Sequence, residues 1–326
     1  MLTLPPLTVH KPATVEEAVR LLGAHPGARL LAGGTDLVPN LKHGLYDAPH
    51  LVALRGLSSE LRYVREEDGE VRLGALCSID ALSRDPIVRA RLPALADACA
   101  QIAGPQLRRM GTLGGNLCLD TRCVYINQTY FWRSALGFCL KKDGTACHVV
   151  KGGKRCVAAA SNDTAPVLLA LGASVRTASP RGGRLLPLEK LYLTDGIKNV
   201  ALEPDEILVE ARVPAGAALR RQGFFKLRTR AAIDFPALNL ALSFLLDGGK
   251  ARAIRLAVSA LAARPLLVRG LDDLDGRDAD AALGDELGRR AQAQARPLTN
   301  IAVDVDYRRE VLPVLVRRTF LGALQG

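Results

Sequence analysis

The stretch 29-RLLAGGTDLVPN-40 passes from a short apolar segment directly into a glycine turn. Leu30 to Ala32 is predicted to be a strand, and Gly33-Gly34-Thr35-Asp36 is the turn that follows it. Upstream, Thr14 to Ala24 is predicted to be an amphipathic helix, because Thr14 and Glu17 make a capping box ahead of apolar residues at helical spacing. A helix, a strand and a glycine turn in this order indicate an α/β or α+β beginning.

A second glycine turn, Thr112-Leu113-Gly114-Gly115-Asn116, follows a predicted strand at Glu70 to Ala75 and a predicted helix at Pro93 to Ile102. Glycines let backbone N–H groups approach an anion without a Cβ in the way, so both turns suit a pyrophosphate. Side-chain donors are available at Thr35, Thr112 and Asn116. Neither turn is a GxGxxG fingerprint or a Walker A sequence, which disfavours the Rossmann and P-loop folds.

The last third of the chain begins with predicted antiparallel strands and ends in helices. EEDG near Asp68 and DGGK at Asp247 to Lys250 are hairpin signals. Helices are predicted around Ala279 to Ala295 and Tyr307 to Leu324. Proline and glycine interrupt the pattern near Pro214-Ala215-Gly216. We therefore expect a first domain over 1–216 and a C-terminal domain over 217–326.

The composition is that of a globular chain with an excess of positive charge. It has 326 residues, 48% of them hydrophobic, and 44 Lys and Arg against 33 acidic residues, for a net charge of +11. Because the basic residues are scattered and only 4% of residues are aromatic, we expect no nucleic-acid partner. A basic face for an acidic protein partner and a simple solvated surface both fit the charge. With no leader-like start and no apolar run long enough to span a bilayer, the expected location is cytoplasmic, without membrane contact.

Cysteines are concentrated in one part of the chain. Five lie within positions 118–156 at Cys118, Cys123, Cys139, Cys147 and Cys156, whereas the rest of the chain holds only Cys77 and Cys99. Periodicity is weak over the same region, so about 118–160 is interpreted as an insertion. Four thiolates hold either a [4Fe–4S] cluster or a structural zinc. The chain has no CxxC pair, and widely spaced ligands fit a cluster at least as well as zinc.

One of the five cysteines is spare if four bind metal. We expect it to be Cys118, because it directly follows the second glycine turn, whereas Cys123 begins the inserted excursion. His148 is not expected to bind metal beside four cysteines. Tyr130, Phe131 and Trp132 are expected to pack as a small core over the cluster and exclude water.

Four motifs occur in one order: AGGTDL, GPQLRRMGTLGGN, SNDTAPVLLALGA and EILVEARVP. In this order they resemble the FAD-binding medium subunits of the xanthine dehydrogenase and carbon monoxide dehydrogenase family. The resemblance runs from HKPATVEEAVRLL near the start to YRREVLPVLVRRTF near the end. It implies an α+β fold, with an FAD-binding domain of two α/β subdomains followed by a C-terminal domain of antiparallel sheet and helices.

In this family the first glycine turn holds the FAD pyrophosphate and the second closes on it from the other side. The first turn is matched here by Leu30, Leu31, Ala32, Gly33, Gly34, Thr35, Asp36 and Leu37. The second is matched by Gly111, Thr112, Gly114, Gly115 and Asn116. Further flavin contacts are implied at Ile102, Asp163, Leu208 and Lys226. Asp163 also fits a helix cap, Lys226 a solvated strand charge, and the other two ordinary core positions.

The cysteine-rich insertion resembles that of the beta subunits of 4-hydroxybenzoyl-CoA reductases. There it carries a [4Fe–4S] cluster, and the resemblance implies the ligands Cys123, Cys139, Cys147 and Cys156. It further implies a large subunit with the molybdopterin cofactor, a small subunit with two [2Fe–2S] clusters, and a dimer of such heterotrimers. The electron donor implied is a low-potential ferredoxin-type protein.

The function expected from this resemblance is electron transfer, with the reductive removal of a phenolic hydroxyl left to the molybdenum subunit. The chain has no nucleophile elbow and no HExxH motif, and no catalytic residue is expected in it. One alternative is the FAD subunit of a related enzyme that acts on an aldehyde, a purine or another aromatic acyl-CoA. A second is a zinc-stabilised binding module without a redox role.

Overall fold

The computed structural model describes residues 2–325, which begin with a small parallel sheet. Its strands take the order β1-β3-β2 and are β1 (Thr8–His10), β2 (Arg29–Leu31) and β3 (His50–Ala53). Helix α1 (Val15–Ala24) connects the first two strands and buries one apolar face. The Thr14 side chain caps this helix by accepting a hydrogen bond of 3.1 Å from the Glu17 N–H. Helix α2 (Leu37–Lys42) follows the first glycine turn.

A second sheet is antiparallel and takes the order β4-β5-β8-β6-β7. Its members are β4 (Val64–Glu67), β5 (Glu70–Gly74), β6 (Ser174–Ala178), β7 (Leu185–Pro187) and β8 (Ile207–Val213). Short helices precede the sheet or fill the long connection from β5 to β6: α3 (Ser58–Leu61), α4 (Ile79–Arg84), α5 (Pro86–Arg91), α6 (Pro93–Ala100), α7 (Pro105–Met110), α8 (Leu113–Leu117), α9 (Tyr130–Ala135) and α10 (Thr164–Ala170). Most of these helices pack with the sheet around the largest apolar core.

The C-terminal part combines an antiparallel sheet with two long helices. The strands β9 (Arg221–Leu227), β10 (Leu238–Asp247), β11 (Lys250–Ser259) and β12 (Leu266–Leu267) follow the order β12-β11-β10-β9, and β13 (Arg277–Asp278) pairs with β11. Helices α11 (Ala281–Gln294) and α12 (Val305–Gln325) pack against each other and share one core with this sheet. In that core the rings of Phe244 and Phe320 lie 4.9 Å apart.

The predicted elements are confirmed at the positions where the local signals are strong. The Asp247 to Lys250 hairpin pairs β10 with β11, and the turn near Asp68 pairs β4 with β5. The two C-terminal helices appear as α11 and α12. The α+β fold class is likewise confirmed. The division at residue 216 stays a prediction. No helix within residues 2–325 is long and apolar enough to cross a membrane.

The two ends of the segment that is predicted to be inserted, about 118–160, are paired with each other. The backbones of Arg122 and Ala159 exchange hydrogen bonds of 2.8 and 2.7 Å, so the excursion starts and ends at this pair. Its described residues form one short helix, α9, among turns. Buried Arg133 anchors that helix, because its guanidinium donates to the backbone oxygens of His43 and Gly44 at 2.9 and 3.2 Å.

The prediction that the aromatic residues of α9 form a core over the cysteines is wrong. Tyr130, Phe131 and Trp132 are 61%, 83% and 40% exposed. Helix α9 has less than two turns, and its buried position is taken by Arg133, whose guanidinium bonds to the backbone after α2. The three rings consequently project outward.

Helices α11 and α12 approach each other closely at Gly288, and a substitution there tests this packing. A Cβ at Gly288 would lie 2.8 Å from the backbone of Pro313. We predict that Gly288→Ala lowers the free energy of unfolding by about 1–3 kcal/mol, because the helices must separate. Gly322→Ala on the exposed side of α12, with no atom within 4 Å, is the matched control and is expected to stabilise by up to about 1 kcal/mol. Equal effects of the two changes in urea unfolding would contradict this packing.

Candidate functional site

A deep cleft of about 590 Å³ opens between the two glycine turns. Of the residues predicted to bind the cofactor, all but Leu31 and Lys226 line it: Leu30, Ala32, Gly33, Gly34, Thr35, Asp36, Leu37, Ile102, Gly111, Thr112, Gly114, Gly115, Asn116, Asp163 and Leu208. These residues come from four separate parts of the sequence. The fold therefore brings the predicted set together at one cleft.

Leu31 lies on the opposite side of its strand. Side chains alternate along a strand, so Leu30 and Ala32 face the cleft while Leu31 packs against the small core that contains Leu41 and Leu51. The side chain of Leu31 therefore faces away from the cleft, and its predicted contact with the cofactor stays a prediction. Its backbone still belongs to the turn.

The two glycine turns touch each other through their backbones. A Cβ at Gly33 would lie 1.9 Å from the backbone oxygen of Met110, which no adjustment of side chains can relieve. Gly34 has a φ of +71°, a conformation that glycine adopts without strain. At the second turn, the Gly114 N–H donates to the Ala75 oxygen at 2.9 Å and holds the turn against the end of β5. Glycine is thus required here by close backbone approach.

The first turn also leaves backbone donors free. Within residues 2–325, the N–H groups of Gly33, Gly34, Thr35 and Asp36 donate to no protein acceptor. Free N–H groups beside a cleft are the partners that a pyrophosphate requires. The turn therefore fits the diphosphate of a dinucleotide.

Asp163 and Lys226 form a buried ion pair at the wall of the cleft. The Lys226 Nζ donates to Asp163 Oδ2 at 2.9 Å and to the Gln101 oxygen at 3.2 Å, and the Asn239 amide donates to Asp163 Oδ1 at 3.0 Å. Burial raises the pKa of Asp163, and the Lys226 cation together with the Asn239 amide opposes that rise. The pair links α10 and the end of α6 to strands β9 and β10.

This geometry decides between the alternatives for the two residues. The Asp163 side chain makes no capping hydrogen bond to α10, and the Lys226 side chain is 1% exposed. Neither a helix cap nor a solvated charge is present. Lys226 is not among the residues that line the cleft, and its ammonium pairs with the Asp163 carboxylate, which does line it. Its contact with the flavin stays a prediction.

Sequence reasoning missed a group of residues that closes the cleft. The Arg122 guanidinium pairs with the Asp36 carboxylate and lies 4.2 Å from the centre of the Phe235 ring. Burial lowers the pKa of Arg122 to about 10. Ile233 and Phe235 reach the cleft from the loop between β9 and β10. The resemblance does not predict that Ile233 and Phe235 cover the cleft, so only the fold reveals their place.

The four cysteines of the insertion line a separate, smaller pocket. Cys123, Cys139, Cys147 and Cys156 meet there with His148 and Lys141, while Cys118 lines the large cleft instead. No cysteine within residues 2–325 forms a disulfide. The placement separates Cys118 from the other four, as its position in the sequence predicts. The structure gives His148 a different partner, since its Nε2 lies 2.5 Å from the Phe138 oxygen.

The thiols of the small pocket are close enough to influence one another's pKa values. Burial raises the pKa of Cys123 to about 11, a backbone hydrogen bond with Tyr125 opposes this, and the three other thiols add to it. Burial also raises the pKa of Cys156, against the Ala158 N–H and the Lys141 cation. Raised pKa values favour the neutral thiols of Cys123 and Cys156, and a bound cationic centre would favour their thiolates instead.

The spacing of the sulfur atoms bears on which centre fits. Tetrahedral zinc with Zn–S bonds near 2.3 Å would bring its sulfurs to about 3.8 Å from one another. Among residues 2–325, no three cysteine sulfurs lie within 4.8 Å of one another. A four-iron cluster is larger than a single ion and holds its ligands further apart. The four cysteines are a donor set that a four-iron cluster uses, and zinc would need their sulfurs to move closer together.

The two pockets meet at a short segment of chain. Arg122 lines the large cleft and the next residue, Cys123, lines the cysteine pocket. The Lys141 Nζ donates to Asp120 Oδ1 at 2.8 Å and to Thr121 Oγ1 at 2.6 Å, which fixes this segment from the insertion side. Groups bound in the two pockets would be close neighbours.

Comparison with known proteins agrees with this architecture. Residues 5–216 match the family model of the FAD binding domain in molybdopterin dehydrogenase, and residues 223–323 match that of the CO dehydrogenase flavoprotein C-terminal domain. The carbon monoxide dehydrogenase medium chain of Hydrogenophaga pseudoflava is 30% identical over 98% of this chain and 97% of its own. The xanthine dehydrogenase FAD-binding subunit of Escherichia coli O157:H7 is 31% identical over 79% of this chain and 75% of its own.

Solved structures show the same fold. The structure of carbon monoxide dehydrogenase from Hydrogenophaga pseudoflava that lacks the Mo-pyranopterin moiety aligns with a TM-score of 0.82 and 28% identity over 99% of both chains. Quinoline 2-oxidoreductase from Pseudomonas putida 86 aligns with a TM-score of 0.79 and 25% identity, also over 99% of both chains.

The fold and the cleft between its glycine turns define an FAD-binding redox subunit. The chain belongs to the FAD-binding medium subunits of the xanthine dehydrogenase and carbon monoxide dehydrogenase family. It binds FAD, and it is a subunit of a multi-subunit oxidoreductase of the molybdenum hydroxylase family.

A substitution at the contact between the glycine turns tests whether the cleft binds FAD. We predict that Gly33→Ala abolishes retention of FAD, because its Cβ would overlap the Met110 oxygen and separate the turns. The expected loss of stability is about 1–3 kcal/mol. Flavin released by denaturation is measured per chain, and circular dichroism reports whether the variant is folded. Gly216→Ala, with no atom within 4 Å, is the control; folded Gly33→Ala with full flavin would refute the prediction.

The buried ion pair gives a second prediction. Lys226→Met leaves the Asp163 carboxylate buried without its cation and should cost about 3–5 kcal/mol of unfolding free energy. The double variant Asp163→Asn with Lys226→Met buries no charge and should recover most of this loss. Denaturant unfolding of the four members of the cycle measures the coupling. A loss below about 1 kcal/mol for Lys226→Met would place the pair in solvent.

Proposed function

We propose that this chain is the FAD- and [4Fe–4S]-carrying electron-transfer subunit of an enzyme of the 4-hydroxybenzoyl-CoA reductase type. The observation that carries the proposal is the convergence of Cys123, Cys139, Cys147 and Cys156 on one pocket beside the flavin cleft. Dehydroxylation takes up two electrons and takes place on the molybdenum subunit. This chain supplies the electrons and no catalytic residue.

The cleft residues have defined parts in holding the flavin cofactor. The free N–H groups of the first glycine turn bind the diphosphate, and the second turn closes on it from the opposite side. Asp163 accepts hydrogen bonds from hydroxyl or amino donors of the cofactor, and Lys226 keeps that carboxylate charged and in place. Arg122 and Phe235 cover the cleft and limit the entry of water.

The cysteine pocket has the features of a cluster site. The Val150 and Ala158 N–H groups donate to the sulfurs of Cys147 and Cys156, each at 3.5 Å, and such bonds tune the potential of a cluster. Gly196 leaves room for Cys156, since a Cβ there would lie 2.7 Å from its sulfur. When bound, FAD exchanges one or two electrons and the cluster one at a time, so the two suit a relay.

The partners follow from this role. A large subunit holds the molybdopterin cofactor, a small subunit holds two [2Fe–2S] clusters, and two such heterotrimers associate. A low-potential ferredoxin-type protein delivers electrons to the [4Fe–4S] cluster, and the complex works in the cytoplasm. The net charge of +11 supports an acidic donor of this kind.

The test is to purify the native complex under anaerobic conditions and identify the chains that elute with this one. We expect a molybdenum-containing and a [2Fe–2S] chain, and reduction of 4-hydroxybenzoyl-CoA by a reduced low-potential donor. If the complex instead oxidises an aldehyde or a purine, the proposed substrate is wrong but the assignment to the family holds. Isolation of the chain without any redox partner would overturn the proposal.

The assignment of the four ligands is tested by single substitutions. We predict that Cys139→Ser and Cys147→Ser each remove most of the iron but leave much of the flavin, because the two pockets have separate linings. Cys118→Ser is the matched control and should keep both. Iron and flavin are measured per chain after anaerobic isolation. Loss of iron in Cys118→Ser, or full iron in Cys139→Ser, would show that the ligand set is wrong.

A further inference from the structure

Three histidines converge at one end of the N-terminal parallel sheet. His10 ends β1, His25 directly follows α1, and His50 begins β3. The chain has five histidines in all, and neither the flavin cleft nor the cysteine pocket contains any of these three. The three side chains are half-buried. The cluster is therefore a separate feature of the molecule.

The fold itself places the three rings together. In the register of β1 and β3, Thr8 lies opposite His50, and His10 is two residues further along the same face. The backbone N–H of His25 donates to the Leu21 oxygen at 3.2 Å, which fixes this residue at the end of α1. The centre of the His25 ring lies 4.4 Å from that of the His10 ring and 4.3 Å from that of the His50 ring.

The separations of the ring nitrogens match those of a metal site. One nitrogen from each histidine lies within 4.8 Å of the other two. The closest pair, His10 Nε2 and His50 Nδ1, is 3.1 Å apart. Two imidazole nitrogens on one tetrahedral zinc, at Zn–N bonds near 2.0–2.1 Å, are about 3.3 Å apart. Binding an ion would require the rings to turn out of their present stacking so that all three nitrogens reach this spacing.

We propose that His10, His25 and His50 form a binding site for Zn²⁺ or a similar late transition metal ion. Imidazole is a preferred ligand of zinc, and at neutral pH most histidine side chains are uncharged and offer a lone pair. Three protein ligands leave the fourth position of a tetrahedral ion open to water or to another ligand. A metal bound here cross-links β1, α1 and β3 of the subdomain that carries the first glycine turn.

The same geometry has a simpler explanation without metal. One ring N–H donates to the neighbouring ring nitrogen, and the rings stack on one another. This explanation predicts no uptake of zinc, so the two are distinguished by measuring metal.

The experiment uses the complete protein, with its cofactors and without a polyhistidine tag, dialysed against buffered Zn²⁺. Elemental analysis should give about one zinc per chain that is absent from His25→Ala, and the affinity should fall about tenfold or more in His50→Gln. His43→Gln, a histidine outside the cluster, and Cys139→Ser, a ligand of the other pocket, should both keep the zinc. These controls exclude non-specific binding and binding by vacant cysteines.

A second measurement distinguishes loss of the zinc site from loss of folding in a variant. Zinc should raise the thermal midpoint of the wild-type protein and of His43→Gln but leave that of His25→Ala unchanged. Circular dichroism without zinc should be the same for all of them. No zinc uptake by the wild type, equal uptake by His25→Ala, or loss of zinc in Cys139→Ser alone would each overturn the proposal.

Discussion

The buried contact between Asp163 and Lys226 is the interaction on which the site depends. It joins the start of α10 to strand β9, and Asn239 on β10 completes the hydrogen bonding of the same carboxylate. A buried carboxylate and a buried ammonium are each costly unless they pair with each other. The segment with Asp163 and the strand with Lys226 must therefore pack in one arrangement. That arrangement brings the loop with Ile233 and Phe235 over the cleft.

The backbone contact between the glycine turns sets the other side of the cleft. With Gly33 against the Met110 oxygen, both turns line one cleft, and the N–H groups of the first turn have no acceptor within the described residues 2–325. Arg122 then connects this space to the insertion, since it pairs with Asp36 and is followed by Cys123. The flavin cleft and the cysteine pocket are thus joined by one short segment of chain. A one-electron carrier and a flavin in these positions form a relay.

Much of this follows from the sequence because the local signals are strong. The capping box at Thr14, the left-handed backbone of Gly34 and the hairpin turn at Asp247 have physical causes that act over a few residues. Other features arise only from long-range packing. The outward rings of α9 depend on where Arg133 finds buried acceptors, and Leu31 is turned away from the cleft by strand alternation. The grouping of His10, His25 and His50 depends on sheet register, and no sequence motif indicates it.

We propose that one polypeptide holds FAD and a four-cysteine iron–sulfur cluster side by side. The most direct test is to measure flavin, iron and acid-labile sulfide in wild-type protein isolated without oxygen. We predict about one flavin with about four irons and four sulfides per chain. A protein that carries its full flavin but neither iron nor sulfide would contradict it.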